Sequence, residues 1–476
     1  KNPLPCYVIL VHGVNDVGEA YEAQEKGICW GLAERLDRDH DLQPAAYSAP
    51  RRSDTSRSGI RQANDPSEQV VQEPEKRYYR RYPTQDNYTP VIPFYWGFRE
   101  EDARIRSDRN LNGAWHGELL DRDGNRLDKD GTKGGGAFVN ASNCLPHMWA
   151  PGWKPPIPGM NTFASLSDKT HPLIKATCYR RYQVLAALRL AMLIRIIRKR
   201  HPKAAVNIVA HSMGCLVSLL AQAYLMDEEG GKPADALVLN NPPYSFKENL
   251  LDGHLFQDIN QTSRARIETF QKIVKAFHAR RATSPAWESG ASATLGRGLA
   301  GQKWSPAKGR RRHPATGDEV EFQERDNRGK IYLYFTPHDK TVALRNTQGI
   351  GWCGVPDSYT DEWKDARGEK VKMTWTRLLA QLSASGFRQR LFMLRERGGT
   401  TYRVGLPPGH VSLQEEGESY LTLMDRGKAK GLPDHTLRYI NGEPLDPPVH
   451  FDPGPDVLPL SPIDAAVALT NNGTCR

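Results

Sequence analysis

The clearest pattern in the chain is the unbroken apolar run Cys6-Tyr-Val-Ile-Leu-Val11, which stops at His12-Gly13. An apolar run closed by a turn predicts a strand buried on both faces, as in parallel sheets. Over 20–36 the spacing becomes helical, with Trp30, Leu32 and Leu36 set among Glu, Lys and Arg, and predicts a helix with one exposed face. Residues 91–96 predict a second strand. The strongest helical pattern lies over 179–200; 205–210 predicts a short strand, 214–226 a helix, and 236–239 and 330–335 two further strands. Strands alternating with helices predict an α/β protein with a mostly parallel sheet.

Two segments interrupt that alternation. Residues 101–177 have little periodicity and many Gly, Asp, Asn and Pro, including Asp128-Lys-Asp-Gly-Thr-Lys-Gly-Gly-Gly136, and predict a long looped insertion. Residues 263–327 predict a cap or lid, because 283–313 is rich in Gly, Ala, Ser and Arg and contains Arg310-Arg-Arg312. The 476 residues are then one domain, with a core of roughly 5–100, 178–262 and 328–476, rather than the three that about 150 residues per domain would give.

Composition narrows the function classes. The seven cysteines include no CxxC pair, so neither a zinc ribbon nor a paired disulfide framework is expected. The longest greasy stretch, 184–197, carries Arg189 and Arg195 and falls short of the ~20 apolar residues that a bilayer span needs. The opening residues lack a signal-peptide pattern. The sequons at Asn87, Asn140, Asn260 and Asn472 matter only in a secreted eukaryotic protein. The 65 Lys and Arg against 55 Asp and Glu leave a net charge of +10, which favours acidic partners without choosing between phospholipid headgroups and nucleic acid.

The candidate chemistry starts at Ala210-His-Ser-Met-Gly214, between a predicted strand and a predicted helix. That is the context of a nucleophile elbow, whose sharp turn lifts a serine hydroxyl above the sheet and needs small neighbours. Gly214 fits, and Ala210 stands where the first glycine usually is. Ser212 is therefore the candidate nucleophile, in an α/β-hydrolase-like arrangement. Acyl transfer also needs donors for the developing oxyanion, and a strand ending in His12-Gly13 makes the backbone N–H groups of Val14 and Met213 the natural pair. Asp339, in the loop after 330–335, is the candidate triad acid. Only His410, His435 and His450 follow it; His435 is the first choice for the base, His450 the second and His410 the third. No metal or cofactor is required. Gly349-Ile-Gly-Trp-Cys-Gly354 matches a dinucleotide fingerprint, but no helix pattern opens at its third glycine, and a loop is expected there. The Arg310–Arg312 run lacks any nucleic-acid module signature, so a solvated basic loop is the expectation and a phospholipid-facing patch the most it would form.

Several phrases are more particular. Val11-His-Gly-Val-Asn-Asp-Val-Gly18, Gly27-Ile-Cys-Trp-Gly-Leu-Ala-Glu-Arg-Leu36, Pro93-Phe-Tyr-Trp-Gly97, Asp121-Arg-Asp-Gly-Asn-Arg-Leu-Asp-Lys-Asp130 and Gly134-Gly-Gly-Ala-Phe-Val-Asn140 resemble the third group of type VI secretion lipase effectors, which are antibacterial phospholipases. Ser212 and Asp339 match that family's elbow and acid positions. The resemblance implies a phospholipase made in the producer's cytoplasm without a signal peptide and injected into a neighbouring bacterium's periplasm, where it degrades membrane phospholipid. It also implies a cognate immunity protein and a secretion spike protein or adaptor as partners, with no nucleic acid and no cofactor. Family chains continue after a segment like Ser461-Pro-Ile-Asp-Ala-Ala466, so the triad histidine could also lie beyond Arg476. Two alternatives stand beside this reading: a serine acyl hydrolase acting on soluble esters or thioesters, and a non-catalytic polyanion- or partner-binding protein on a hydrolase scaffold.

Overall fold

Six apolar residues at the start of the chain form strand β1 (Cys6–Val11), and their alternation decides which layer each one joins. Ile9 and Val11 face one core, while Cys6, Val8 and Leu10 face another, as the two-residue period of a strand requires. The computed structural model describes residues 2–16, 18, 20–38, 41–48, 80–82, 87–108, 118–122, 126–127, 131–153, 176–248, 259–281, 298–312, 317–336, 339, 341–343, 347–364, 367–391, 402–403, 408–412, 437–444 and 450–451.

Helix α1 (Tyr21–Arg35) leads to β2 (Val91–Phe94), and α2 (Arg181–Arg200) to β3 (Ala205–His211). Then come α3 (Met213–Asp227), β4 (Ala236–Asn240), α4 (Ser263–Ala279), β5 (Lys330–Phe335), the single turn α5 (Ile350–Cys353), α6 (Leu378–Ala384) and β6 (Phe387–Leu391). The six strands make one sheet in the order β6-β5-β4-β3-β1-β2, and every neighbouring pair is parallel. All six carboxyl ends therefore lie along one edge, where ligands of open α/β sheets bind.

The larger core lies on one face of the sheet. There α2, α3, α4 and α6 bury Leu190, Leu216, Phe270 and Leu379 against Ile208, Leu237, Leu333 and Phe387. On the other face α1 covers Cys6, Val8, Leu10 and Val91 with Tyr21, Cys29 and Ala33. The expected cap segment is divided by this arrangement. Residues 263–279 are core helix α4, and the hairpin Gly309–Arg312/Glu319–Phe322 packs beside α1, with the Arg35 guanidinium 4.0 Å from the centre of the Phe322 ring. Arg310 is paired there with Glu319 and Glu321. The looped insertion contributes short strand pairs, Gly97–Arg99 with Thr132–Gly134 among them.

The strand ends differ from the sequence expectation by one or two residues, and β6 is an addition. Its sequence, Phe-Arg-Gln-Arg-Leu, lacks an apolar run because its two faces meet different surroundings. Phe387 and Leu391 enter the core, Arg388 and Arg390 meet Glu443, and buried Gln389 bonds the backbone of Val355 and Tyr439.

Candidate functional site

Ser212 caps the amino end of α3 with φ 50° and ψ −126°. L-residues rarely occupy this backbone region, and a residue held there marks a turn fixed by its surroundings. Three contacts fix it. The Ser212 N–H donates to Asn240 O at 2.9 Å, and the Ser212 carbonyl accepts from Cys215 N–H at 2.9 Å. Gly214 lies against the carbonyls of His12 and Val11, so that any Cβ there would collide with backbone. Gly13 is nearly as close, since a Cβ on it would sit 2.9 Å from Ser212 Cβ and 3.4 Å from Ser212 Oγ. The absence of side chains at 13 and 214 lets the end of β1 touch the elbow.

The loop after β1 is anchored from beneath. Trp96 N–H donates to His12 Nε2 at 3.2 Å, and the other ring nitrogen lies 2.9 Å from Gly13 O, so the neutral tautomer with its proton on Nδ1 satisfies both. His12 is buried and stacked on Trp96, an anchoring role. The Tyr21 hydroxyl accepts from His12 N–H and sits within hydrogen-bond distance of Leu10 O and Phe94 O. Asp16 accepts from Gly13 N–H at 3.2 Å and from Gly18 N–H at 2.7 Å. The Gly13 amide is engaged in this way, and Val14, expected from the sequence to supply an oxyanion donor with Met213, is the residue that follows it. Val14 and Met213 are both buried, and Met213 N–H opens α3, where the helix dipole favours negative charge.

Asp339 follows β5. Its Oδ1 accepts from Thr341 N–H at 3.0 Å and Val342 N–H at 2.9 Å, and its Oδ2 accepts from Asn241 Nδ2 at 2.9 Å. Each carboxylate oxygen offers about two lone pairs, so Oδ2 retains room for one more donor. Burial raises the Asp339 carboxyl above its ordinary value, while the Val342 amide, the His211 imidazole and the Asn241 amide oppose that rise. Asn240 and Asn241 tie the two halves together. Asn240 O holds the Ser212 amide, and Asn241, at φ 50°, holds Asp339. His211 stands between carboxylates, 4.0 Å from Asp16 Oδ2 by its Nδ1 and close enough to Asp339 to act on its charge.

The carboxyl edge thus brings together Ser212, Val14, Met213 and Asp339, all read from the sequence, with Asp16, His211 and Asn241, which were not. A loop Asp or Asn carries no periodic signal, and only its hydrogen bonds reveal a role. Among the described residues no histidine hydrogen-bonds Asp339. His435 lies outside the described residues, as does the side chain of His450, whose backbone pairs with Arg403. His410 is exposed on the hairpin Gly409–Ser412/Leu437–Ile440, edge-on to Tyr439 at 5.0 Å. At the fingerprint-like glycines, α5 ends at Gly354 instead of starting there, and Gly349 and Gly351 press on the backbone of 241–243.

A parallel sheet flanked by helices, with polar groups converging at its carboxyl edge around a strained serine, defines this chain as an α/β protein with a built site. The family model of the T6SS Tle3 phospholipase effector domain matches residues 4–356, and the chain belongs to that family. It is also 40% identical over 517 aligned residues to the antibacterial effector protein Tle3 of Pseudomonas aeruginosa, an alignment covering 99% of this chain and 66% of that protein. The chain therefore spans 66% of the relative's length. The family match includes Ser212 and Asp339 and ends before His410, His435 and His450.

Proposed function

We propose that the chain is a serine carboxylic-ester hydrolase of phospholipase A type, acting on bacterial membrane phospholipid. The observation that carries this reading is the strained Ser212 turn, joined through Asn240 and Asn241 to a half-buried aspartate with capacity for one more donor. Ser212 Oγ attacks the acyl carbonyl while a histidine takes its proton. The oxyanion meets the amides of Val14 and Met213, and the lysophospholipid alkoxide leaves with the proton returned by the histidine. Water then opens the acyl-enzyme and releases the fatty acid. Asp339 holds the imidazole tautomer.

We assign the base to His435. Its support is covalent connection: only Thr436 separates it from Leu437–Ile440, a strand whose Arg438 donates to Cys353 O, in the turn packed against Phe335 at the carboxyl end of β5. Family membership supports the wider role, that of an effector secreted by the type VI system into the target-cell periplasm. A spike protein or adaptor would load it, and an immunity protein would neutralise it in the producer.

The test is product analysis by mass spectrometry, with vesicles of phosphatidylglycerol and phosphatidylethanolamine. The parent is expected to release fatty acid and lysophospholipid, and Ser212→Ala to release neither. No release from a folded parent that still cleaves a soluble ester would move the substrate to soluble esters. No release from either substrate would leave the scaffold as a binding protein.

A further inference from the structure

Helix α2 has an apolar outer face. Leu185, Leu188, Met192 and Ile196 are exposed, Leu185 and Met192 by more than half (57% and 53%). They follow one another at intervals of three or four, so they form one stripe along the helix, about 16 Å long at 1.5 Å per residue. Single exposed apolar residues are ordinary, but a contiguous stripe marks an interaction surface. The inner face is fully used in the core, by Ala187, Leu190, Ala191 and Ile194.

Charge identifies the occupant. The 20 residues of α2 contain no Asp or Glu, and Arg181, Arg189, Lys199 and Arg200 flank the stripe in exposed positions. Among the described residues, acidic groups meet α2 at its far end, where Arg195 pairs with Glu228 and Arg198 with Asp235. An apolar stripe bordered by cations on a helix is the pattern of a segment lying in the plane of an anionic bilayer. Exposed Trp149 and Tyr179 stand beside the amino end of the stripe, where Arg180 N–H bonds Ala150 O; such aromatic rings favour the lipid–water interface.

The amino end of α2, where the stripe begins, is joined to the candidate site. Tyr182, in the first turn of α2, packs on Gly136, whose carbonyl accepts from Asn15 N–H at 3.0 Å, and Gly135 abuts Gly13 O and Val14 Cα. We propose that the outer face of α2, with Trp149 and Tyr179, docks the protein on anionic phospholipid bilayers and brings the Ser212 edge to the headgroups. The proposal rests on the phospholipase reading for its purpose, but its test does not need turnover.

The experiment is co-sedimentation of the full chain carrying Ser212→Ala, which leaves vesicles unconsumed, with phosphatidylglycerol/phosphatidylethanolamine or phosphatidylcholine vesicles. Tighter binding to the anionic vesicles is expected. Leu185→Gln/Met192→Gln/Ile196→Gln is expected to weaken it about tenfold or more, with an unchanged unfolding midpoint. Arg181→Glu/Arg189→Glu/Lys199→Glu, an independent variant should the first fail to fold, is expected to abolish the preference for phosphatidylglycerol. Parent-like binding by a folded variant overturns the proposal. So does light scattering that finds a dimer in the parent and a monomer in the Gln variant, since the stripe would then join two copies.

Discussion

At the scale of single residues the site depends on what is missing as much as on what is present. Gly13 has no side chain because Ser212 fills that space. Gly13→Ala is expected to lower kcat/KM for a soluble ester by about 10²-fold, the cost of an ångström-scale misplacement of reacting groups. The thermal midpoint should fall less than for a core truncation, and steady-state kinetics with a melting curve separates the two effects. Asp339 carries a pH signature. A carboxyl raised by desolvation binds its proton more tightly folded than unfolded, so stability falls as pH rises from the unfolded value of about 3.9 through the folded one. Asp339→Asn removes that loss. Its stability relative to the parent should therefore be greater at pH 7 than at pH 3.5 in urea titrations, while kcat drops about 10⁴-fold through loss of the imidazole tautomer.

At the scale of elements, the elbow is a contact between two strand ends and a helix. Gly214→Ala sets a methyl group against the carbonyls of His12 and Val11, and should cost about 1–3 kcal/mol in urea unfolding, as overpacked sites do. Much of this layer was legible in the sequence, since Cys6–Val11, Ala205–His211 and Lys330–Phe335 carry enough apolar and β-branched residues to announce strands. β6 was not, because Arg388 and Arg390 satisfy themselves against Glu443, more than fifty positions along the chain. The placement of Ser212 at the β3–α3 turn and of Asp339 after β5 was legible because each directly follows an apolar strand run. Asp16 and Asn241 were not, because their partners, Gly13, Gly18 and Asp339, are set by loop geometry and not by spacing.

Across the whole molecule, the parallel sheet collects the loops at one edge, and packing together with loop hydrogen bonds holds that edge. The six described cysteines, Cys6, Cys29, Cys144, Cys178, Cys215 and Cys353, form no disulfide with one another. Burial pushes the Cys6 thiol up to about 12, which keeps it protonated and unreactive at neutral pH. Adding a reductant should leave the thermal midpoint unchanged. No described helix is long and apolar enough to cross a membrane, and the net charge of +10 attracts anionic surfaces with a strength that salt screens. Turnover on anionic vesicles should weaken as salt rises, whereas turnover of a short neutral ester should not.

The central claim is that the strained turn between β3 and α3 makes Ser212 the nucleophile. Fluorophosphonate labelling followed by intact-mass analysis and peptide mapping tests it most directly. One adduct per chain is expected, located on Ser212, absent in Ser212→Ala and strongly slowed in Asp339→Asn. An adduct on another residue, or a folded chain that takes up no label, would contradict it.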